Sequence, residues 1–290
     1  MRPSDIARLL LLAAIWGGSF IFMRILAPVL GPVLTAELRV MIAGFTLILY
    51  FRIIKFDPEW RLHWKKYLLI GSINSALPFF LFSFAALHIP ASYSVILNST
   101  SPFFAALFSA MWLHERLTIP KLLGLVVGAI GVGLVVRVGT VETDSMAALA
   151  IGACLLAAIC YGLTATYIRR FGLALKPMSI AGASQVMAGL VLIPLIPLSP
   201  MKGELTLTVG VTVVVFSLLC SAVAYLLYYR LIADLGATKA LTVTFLMPAF
   251  GMLWGFLILH EQITPGMIFG AILILVGCAL VLARRKFPAK

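Results

Sequence analysis

Acidic side chains are scarce: the 290-residue sequence holds ten Asp and Glu against 22 Lys and Arg, for a net charge of +12. Charged residues of both signs make up 11 % of the chain, where a soluble domain carries about a quarter. That scarcity excludes an ordinary water-facing globular surface. Cysteine is also rare. Cys154, Cys160, Cys220 and Cys278 all fall inside apolar runs and form no CxxC pair and no metal spacing with histidine, so they are read as packing residues. There is no Walker motif, no GxSxG elbow, no GxGxxG after a strand and no HExxH. ATP hydrolysis by this chain and the common hydrolase chemistries are therefore not expected, and no cofactor or metal is called for. No acid/base pair stands at mid-membrane depth, which speaks against an intramembrane enzyme.

What fills the chain instead is apolar sequence, 62 % of it hydrophobic, with a mean hydropathy of +1.12. Since a spanning helix takes about 20 residues, the length accommodates ten spans, short loops and no soluble domain. Hydropathy places them at Ile6–Leu26, Val33–Ile53, Tyr67–Leu87, Ser92–Leu113, Leu117–Val136, Met146–Ile168, Met178–Leu198, Val209–Leu231, Ala237–Leu259 and Ile263–Ala283. Arg2 and Arg8 precede the first span without a small-residue cleavage site, which reads as a retained helix rather than a removed leader.

The basic residues are not gathered into a patch, so nucleic acid is not an expected partner. With both termini in the cytoplasm, 18 of the 22 Lys and Arg face inward, and only Arg24, Arg39, Arg137 and Lys202 do not. The positive charge thus reports orientation in a cell (inner) membrane, with the lipid bilayer and its anionic headgroups as the contact it needs.

The two halves repeat one another. An offset of 145 residues carries Trp16-Gly17, Ser19 and Arg24 onto Tyr161-Gly162, Thr164 and Arg169, and Pro32, Ala36, Ala43 and Gly44 onto Pro177, Ala181, Ala188 and Gly189. An offset of 146 carries Ala91, Pro102, His114-Glu115, Gly124 and Gly131 onto Ala237, Pro248, His260-Glu261, Gly270 and Gly277. Five spans is an odd number, so the second copy must enter the membrane from the opposite side. The expected fold is an all-α integral membrane protein of ten transmembrane helices, built as two inverted-topology five-helix repeats over residues 1–140 and 141–290. Secondary transporters use this plan, with the binding site near the midplane between repeats.

The opening AAIWGGSFIFMRI, the Gly- and Pro-marked start of each second span, and the pair LHERLT and LHEQIT before a Gly-rich last span resemble the EamA-type family of the drug/metabolite transporter superfamily. The resemblance extends over nearly the whole chain. It implies ten helices in two inverted halves, a central cavity, and transport, often export, of small metabolites such as amino acids and their relatives.

Polar residues at mid-membrane are costly unless they face protein or water, and they mark the candidate substrate cavity. Trp16 and Ser19 in the first span share their depth with Tyr161 and Thr164 in the sixth, an aromatic face beside a hydroxyl in each half. Asn74 lies in the third span, Asn98 and Ser99 in the polar run of the fourth, and Tyr225 and Thr244 in the second half. Close helix packing is the competing role for the hydroxyls and amides. Pro102 and Pro248 are candidate hinges. Arg24 and Glu37 are expected to pair across the first hairpin, and the two His-Glu pairs to anchor at interfaces or cap the turn that follows them. Gly124 and Gly128 form a GxxxG face, either for packing within its half or for a homodimer.

The resulting expectation is a secondary-active transporter, not an enzyme, exporting a small amphipathic metabolite such as an amino acid by alternating access. A multidrug-type efflux carrier and a metabolite importer are the nearest alternatives, and a narrow channel or an intramembrane enzyme belongs to a different class.

Overall fold

Backbone N–H and C=O groups inside a bilayer find no water, so apolar runs of this length close their hydrogen bonds within helices. The computed structural model describes residues 2–138, 144–172 and 174–282. The expected boundary between residues 140 and 141 and the basic residues Arg284, Arg285, Lys286 and Lys290 lie outside the described residues. Among the described residues nine helices are long and apolar enough to cross a membrane: α1 Pro3–Leu30, α2 Pro32–Ile53, α3 Trp60–Ala85, α4 Ala91–Trp112, α5 Ile119–Arg137, α6 Ser145–Phe171, α7 Pro177–Leu198, α8 Leu207–Leu235 and α10 Pro265–Leu282. A shorter apolar helix, α9, covers Val243–Leu259. No strand occurs among the described residues. This is a multi-pass, all-α membrane protein, and side chains such as Leu49, Val126 and Phe256, each more than half exposed, face outward where lipid replaces water.

Local chemistry sets the helix ends. Gly31, with φ +78°, turns the chain from α1 into α2, and Pro32 opens the new helix. Asp144 caps α6 by accepting from the Ala147 N–H at 2.6 Å, and Thr206 caps α8 by accepting from the Val209 N–H at 3.2 Å.

Several helices depart from ideal geometry at places that matter below. The fourth is broken in two, Ala91–Asn98 and Ser101–Trp112, with Pro102 in the first turn of the second piece. The ninth span, expected to run unbroken from Ala237, is interrupted between the one-turn helix Ala237–Ala240 and α9, while Pro248 lies inside the continuous α9. Both α3 and α8 carry a π-turn, at Ser72–Ala76 and Leu218–Val223. Such turns recur at functional positions because they re-aim the side chains of one helical turn.

The extensive packing joins one half of the chain to the other: α5 lies on α10, α1 on α9, α2 on α7, and α6 on α3 and α4. Glycines allow the closest approaches. A Cβ at Gly17 would stand 2.9 Å from the backbone nitrogen of Gly251, and one at Gly162 would stand 2.6 Å from that of Ala105. Gly124 faces the Gly277 carbonyl and Gly131 the Gly270 carbonyl in the same manner. Applying the sequence offsets and exchanging partners converts Gly17–Gly251 into Gly162–Ala105, and Gly124–Gly277 into Gly131–Gly270. The GxxxG residues Gly124 and Gly128 are covered within the chain, by α10 and by Phe103 respectively.

Candidate functional site

A central cavity of about 320 Å³ lies between the halves, at the lower end of the range typical of small-molecule sites. Of the nine sequence-marked binding residues, seven line it: Trp16, Ser19, Asn74, Asn98, Tyr161, Tyr225 and Thr244. Pro102 lines it as well, beside Ser101, at the break in α4. Ser99 and Thr164 do not. Ser99 is buried and donates to the Val95 carbonyl, and Thr164 donates to the Cys160 carbonyl and borders a smaller apolar cavity of about 220 Å³. Pro248 is absent from the lining, although Met247 is present.

Aromatic rings dominate the walls. The Trp16 ring centre lies 6.1 Å from that of Tyr225, edge-on, and 5.2 Å from that of Tyr228. On the other side Tyr161 lies parallel to Phe82 at 6.2 Å, and Phe82 meets Phe20 edge-to-face at 5.1 Å. Tyr225 and Tyr228 come from α8, Trp16 and Phe20 from α1, Phe82 from α3 and Tyr161 from α6, so both halves supply the cage. Such rings present large apolar faces with few rotatable bonds, suited to a planar or apolar body.

The polar groups in the lining are few, and its serine and threonine hydroxyls are committed to their own helices. Ser19 donates to Trp16 O at 2.7 Å, Ser101 to Asn98 O at 2.6 Å and Thr244 to Leu241 O at 2.8 Å. Each retains only acceptor capacity toward a ligand. Asn98 differs: its amide oxygen is buried without a hydrogen-bond partner, at the point where α4 is broken.

Among the lining residues that the sequence did not mark for binding, one is charged. Arg39, 5 % exposed, reaches the cavity from α2. Its Nε donates to Ser221 Oγ on the π-turn of α8 at 3.0 Å, and its guanidinium carbon lies 3.7 Å from the centre of the Phe79 ring and 4.7 Å from that of Phe216. Among the described residues it is the only charged side chain in the lining. The signal was available, because Arg39 lies seven residues after Pro32, about 10 Å along the helix at 1.5 Å per residue, and therefore well below the membrane surface.

Other charged expectations resolve differently. Arg24 donates to the Ala86 carbonyl rather than pairing with Glu37, and no ion pair joins those two residues among the described ones. His114 and His260 are both left-handed, with φ of 53°, and the N–H groups of Glu115 and Glu261 reach back to Ser109 O and Gly255 O at 3.2 and 3.0 Å. Each His-Glu pair thus closes the C-terminus of the preceding helix through a left-handed histidine and a backbone hydrogen bond from the glutamate to a carbonyl six positions back. The expected cap is for the turn that follows; the backbone bonds of these pairs instead terminate the helix that precedes them. The Glu261 carboxylate goes on to accept from the N–H groups of Ala91 and Ser92 at the start of α4. Glu115, which lies between α4 and α5 and outside the spans, instead pairs with Arg169 at 2.6 Å and Lys121 at 3.3 Å, and the hydrogen bond from Arg169 holds its carboxyl below the ordinary value.

Comparison with known proteins follows the same lines. The EamA-like transporter family matches at residues 6–137 and 148–283. An "Uncharacterized transporter" of Archaeoglobus fulgidus is 22 % identical over 282 residues, covering 96 % of this chain and 98 % of its own. The S-adenosylmethionine/S-adenosylhomocysteine transporter of Chlamydia muridarum is 25 % identical, covering 97 % of this chain and 92 % of its own. The pseudopaline exporter CntI of Pseudomonas aeruginosa is 28 % identical over 225 residues, with 76 % of this chain and 75 % of its own covered. A solved crystal structure superposes with a TM-score of 0.68 at 17 % identity, over 97 % of this chain and 98 % of that one, and shows a shared fold.

Proposed function

The chain belongs to the EamA-like transporter family and is a membrane transporter rather than an enzyme, and from that premise we propose that it is a secondary-active carrier which exports a small amphipathic metabolite, of amino-acid type, through its central cavity by alternating access. The observation that carries this reading is the composition of the cavity: rings from both halves enclose about 320 Å³, with the unpartnered amide oxygen of Asn98 at the break in α4. An organic body stacks on Trp16, Tyr161 and Tyr225, and a donor group on it meets Asn98. The residues proposed to bind are those seven lining residues, with the α4 break before Pro102 as the hinge.

The two-half plan belongs to the same proposal. Residues 1–140 and 141–290 act as inverted repeats, supported by the paired contacts Gly17–Gly251 with Gly162–Ala105 and Gly124–Gly277 with Gly131–Gly270. The topology has both termini in the cytoplasm of a cell with an inner membrane, supported by the 18 of 22 basic residues on that side. The cavity lining extends toward that side, as far as Leu241 and Leu282, both partly open to the surroundings. At the other end, Glu261 ties the α9–α10 turn to α4. The arrangement is therefore read as inward-facing. One relative's printed name is that of an exporter, which supports the outward direction.

Reconstitution into proteoliposomes tests the proposal. Saturable flux with counterflow, found by screening pooled radiolabelled amino acids, nucleosides and sugars with and without a pH gradient, is the expected result. Flux that rises linearly with concentration and shows no counterflow would point to a channel and overturn it.

A further inference from the structure

Arg39 has an unmet charge. Its guanidinium carries five N–H donors in a planar fork, and one of them is taken, by Ser221 Oγ at 3.0 Å. Phe79 and Phe216 cover it with ring faces, which stabilise a cation but accept no directed hydrogen bond in the plane of the fork. No carboxylate lies within 4.0 Å of it among the described residues. Glu37, two positions earlier on α2, is buried but makes no ion pair with it. A cation with 5 % of its surface exposed at this depth, with no hydrogen bond from its η nitrogens among the described residues and an open cavity in front of it, is expensive unless an anion completes it.

From this geometry we infer that Arg39 is the anion-recognition residue of the central cavity, and that the transported compound carries a carboxylate which lies against the Arg39 fork while its apolar body occupies the ring cage. The inference rests on the reading of this cavity as the substrate site and narrows that reading to organic acids. Carboxylate geometry matches the two parallel N–H groups of the fork, whereas a cation would meet repulsion, and a neutral solute would leave the guanidinium unpaired. Specificity of this kind comes from the penalty on the wrong ligand as much as from the bond to the right one. Ser221 and the two rings orient the fork; the anion comes from outside the chain.

Titration calorimetry on the purified, detergent-solubilised chain tests this without any transport. The probes are acetate, isovalerate, 3-phenylpropionate, indole-3-propionate and L-phenylalanine, each beside its primary amide. In the wild type the best-binding acid is expected to exceed its amide by about tenfold, the scale of one charge-assisted pair. Arg39→Gln should reduce that ratio to about one while the amide binds as before, and Arg39→Lys should preserve an acid preference, weakened by loss of the fork. Equal binding of acids and amides by the wild type, or binding of no acid at all, overturns the assignment whether or not the variants fold. A ratio that survives in a folded Arg39→Gln variant overturns it as well. Acid binding that depends on Arg39 in vesicles showing no carrier flux would uphold this inference and sink the carrier reading, while saturable flux of neutral solutes with no acid preference would do the reverse.

Discussion

The carboxylate of Glu261 accepts hydrogen bonds from the backbone N–H groups of Ala91, at 2.7 Å, and Ser92, at 3.0 Å. Those donors belong to the first turn of α4, where a helix leaves N–H groups without intrahelical partners and where negative charge is favoured. Glu261 therefore fastens the α9–α10 turn of the second half to the broken helix of the first. Its repeat counterpart, Glu115, stands equally close to the end of its own helix but is held by Arg169 and Lys121. Among the described residues Glu261 is thus engaged by backbone donors of α4, and Glu115 by the side chains of α5 and α6.

If the Glu261 tie holds one end shut, its removal should favour the opposite state. Losing a side-chain cap costs about 1 kcal/mol, which shifts a two-state population about fivefold. In a background lacking the four native cysteines, a cysteine replacing the fully buried Ser83 should react with an impermeant maleimide about fivefold faster when Glu261→Ala is added. Unchanged reactivity would mean that this contact staples the fold without gating it.

The left-handed histidines give a prediction about stability alone. A side chain at φ near +50° costs about 1 kcal/mol or more that glycine does not incur, and β-branched residues tolerate this region worst. His260→Gly is expected to raise the midpoint of thermal unfolding and His260→Val to lower it, with His114 behaving alike. A loss of stability in His260→Gly would show that the imidazole, and not the backbone cap, is what the position requires.

Much of the site was legible because the membrane penalises polar groups irrespective of tertiary detail. Asn74 and Asn98 could be singled out on depth alone, and Trp16 with Tyr161 on matched depth in two repeated spans. Hydroxyls were harder, since Ser99 and Thr164 satisfy themselves on carbonyls one turn back, and nothing in the sequence distinguishes that from facing a cavity. Arg39 was sorted only to the side opposite the termini, because the charge count ignores how far along α2 a residue lies. The π-turns left no compositional mark, and the break near Leu241 did not fall at Pro248, because proline in a membrane helix can be absorbed without interruption when neighbours satisfy the freed carbonyl.

Close glycine contacts between the halves predict unequal costs for the same substitution. Gly162→Ala places a Cβ 2.6 Å from the Ala105 nitrogen and Gly17→Ala places one 2.9 Å from the Gly251 nitrogen. Backbone cannot rotate away, so α6 must lift from α4, or α1 from α9, at about 1–3 kcal/mol. Gly133→Ala and Gly152→Ala meet nothing within 4 Å and should be neutral or slightly stabilising, since alanine is the better helix former. Thermal unfolding of the four variants in one detergent would decide; equal midpoints would mean that the halves slide apart easily enough to absorb a methyl group.

The Glu115 cluster supplies the pH test. Its carboxyl lies below the ordinary value of 4.5, chiefly through the hydrogen bond from Arg169, while its partial burial pushes the other way. A carboxyl whose folded value lies below its unfolded one stabilises the fold above the unfolded value and loses that contribution as pH falls through the folded one. With the Glu115 side chain 34 % exposed, solvent screens the pairing, and the wild type should exceed Glu115→Gln at neutral pH by no more than about 1 kcal/mol. That advantage should shrink as the pH is lowered from 4.5, the ordinary value, and it should shrink at neutral pH when salt is raised toward 1 M, where the screening length falls to about 3 Å. Unfolding midpoints of the two proteins, measured across that pH range at low and high salt, provide the check. A difference independent of both pH and salt would assign the contribution of Glu115 to packing rather than to its charge, since the amide variant keeps the backbone bond to Ser109.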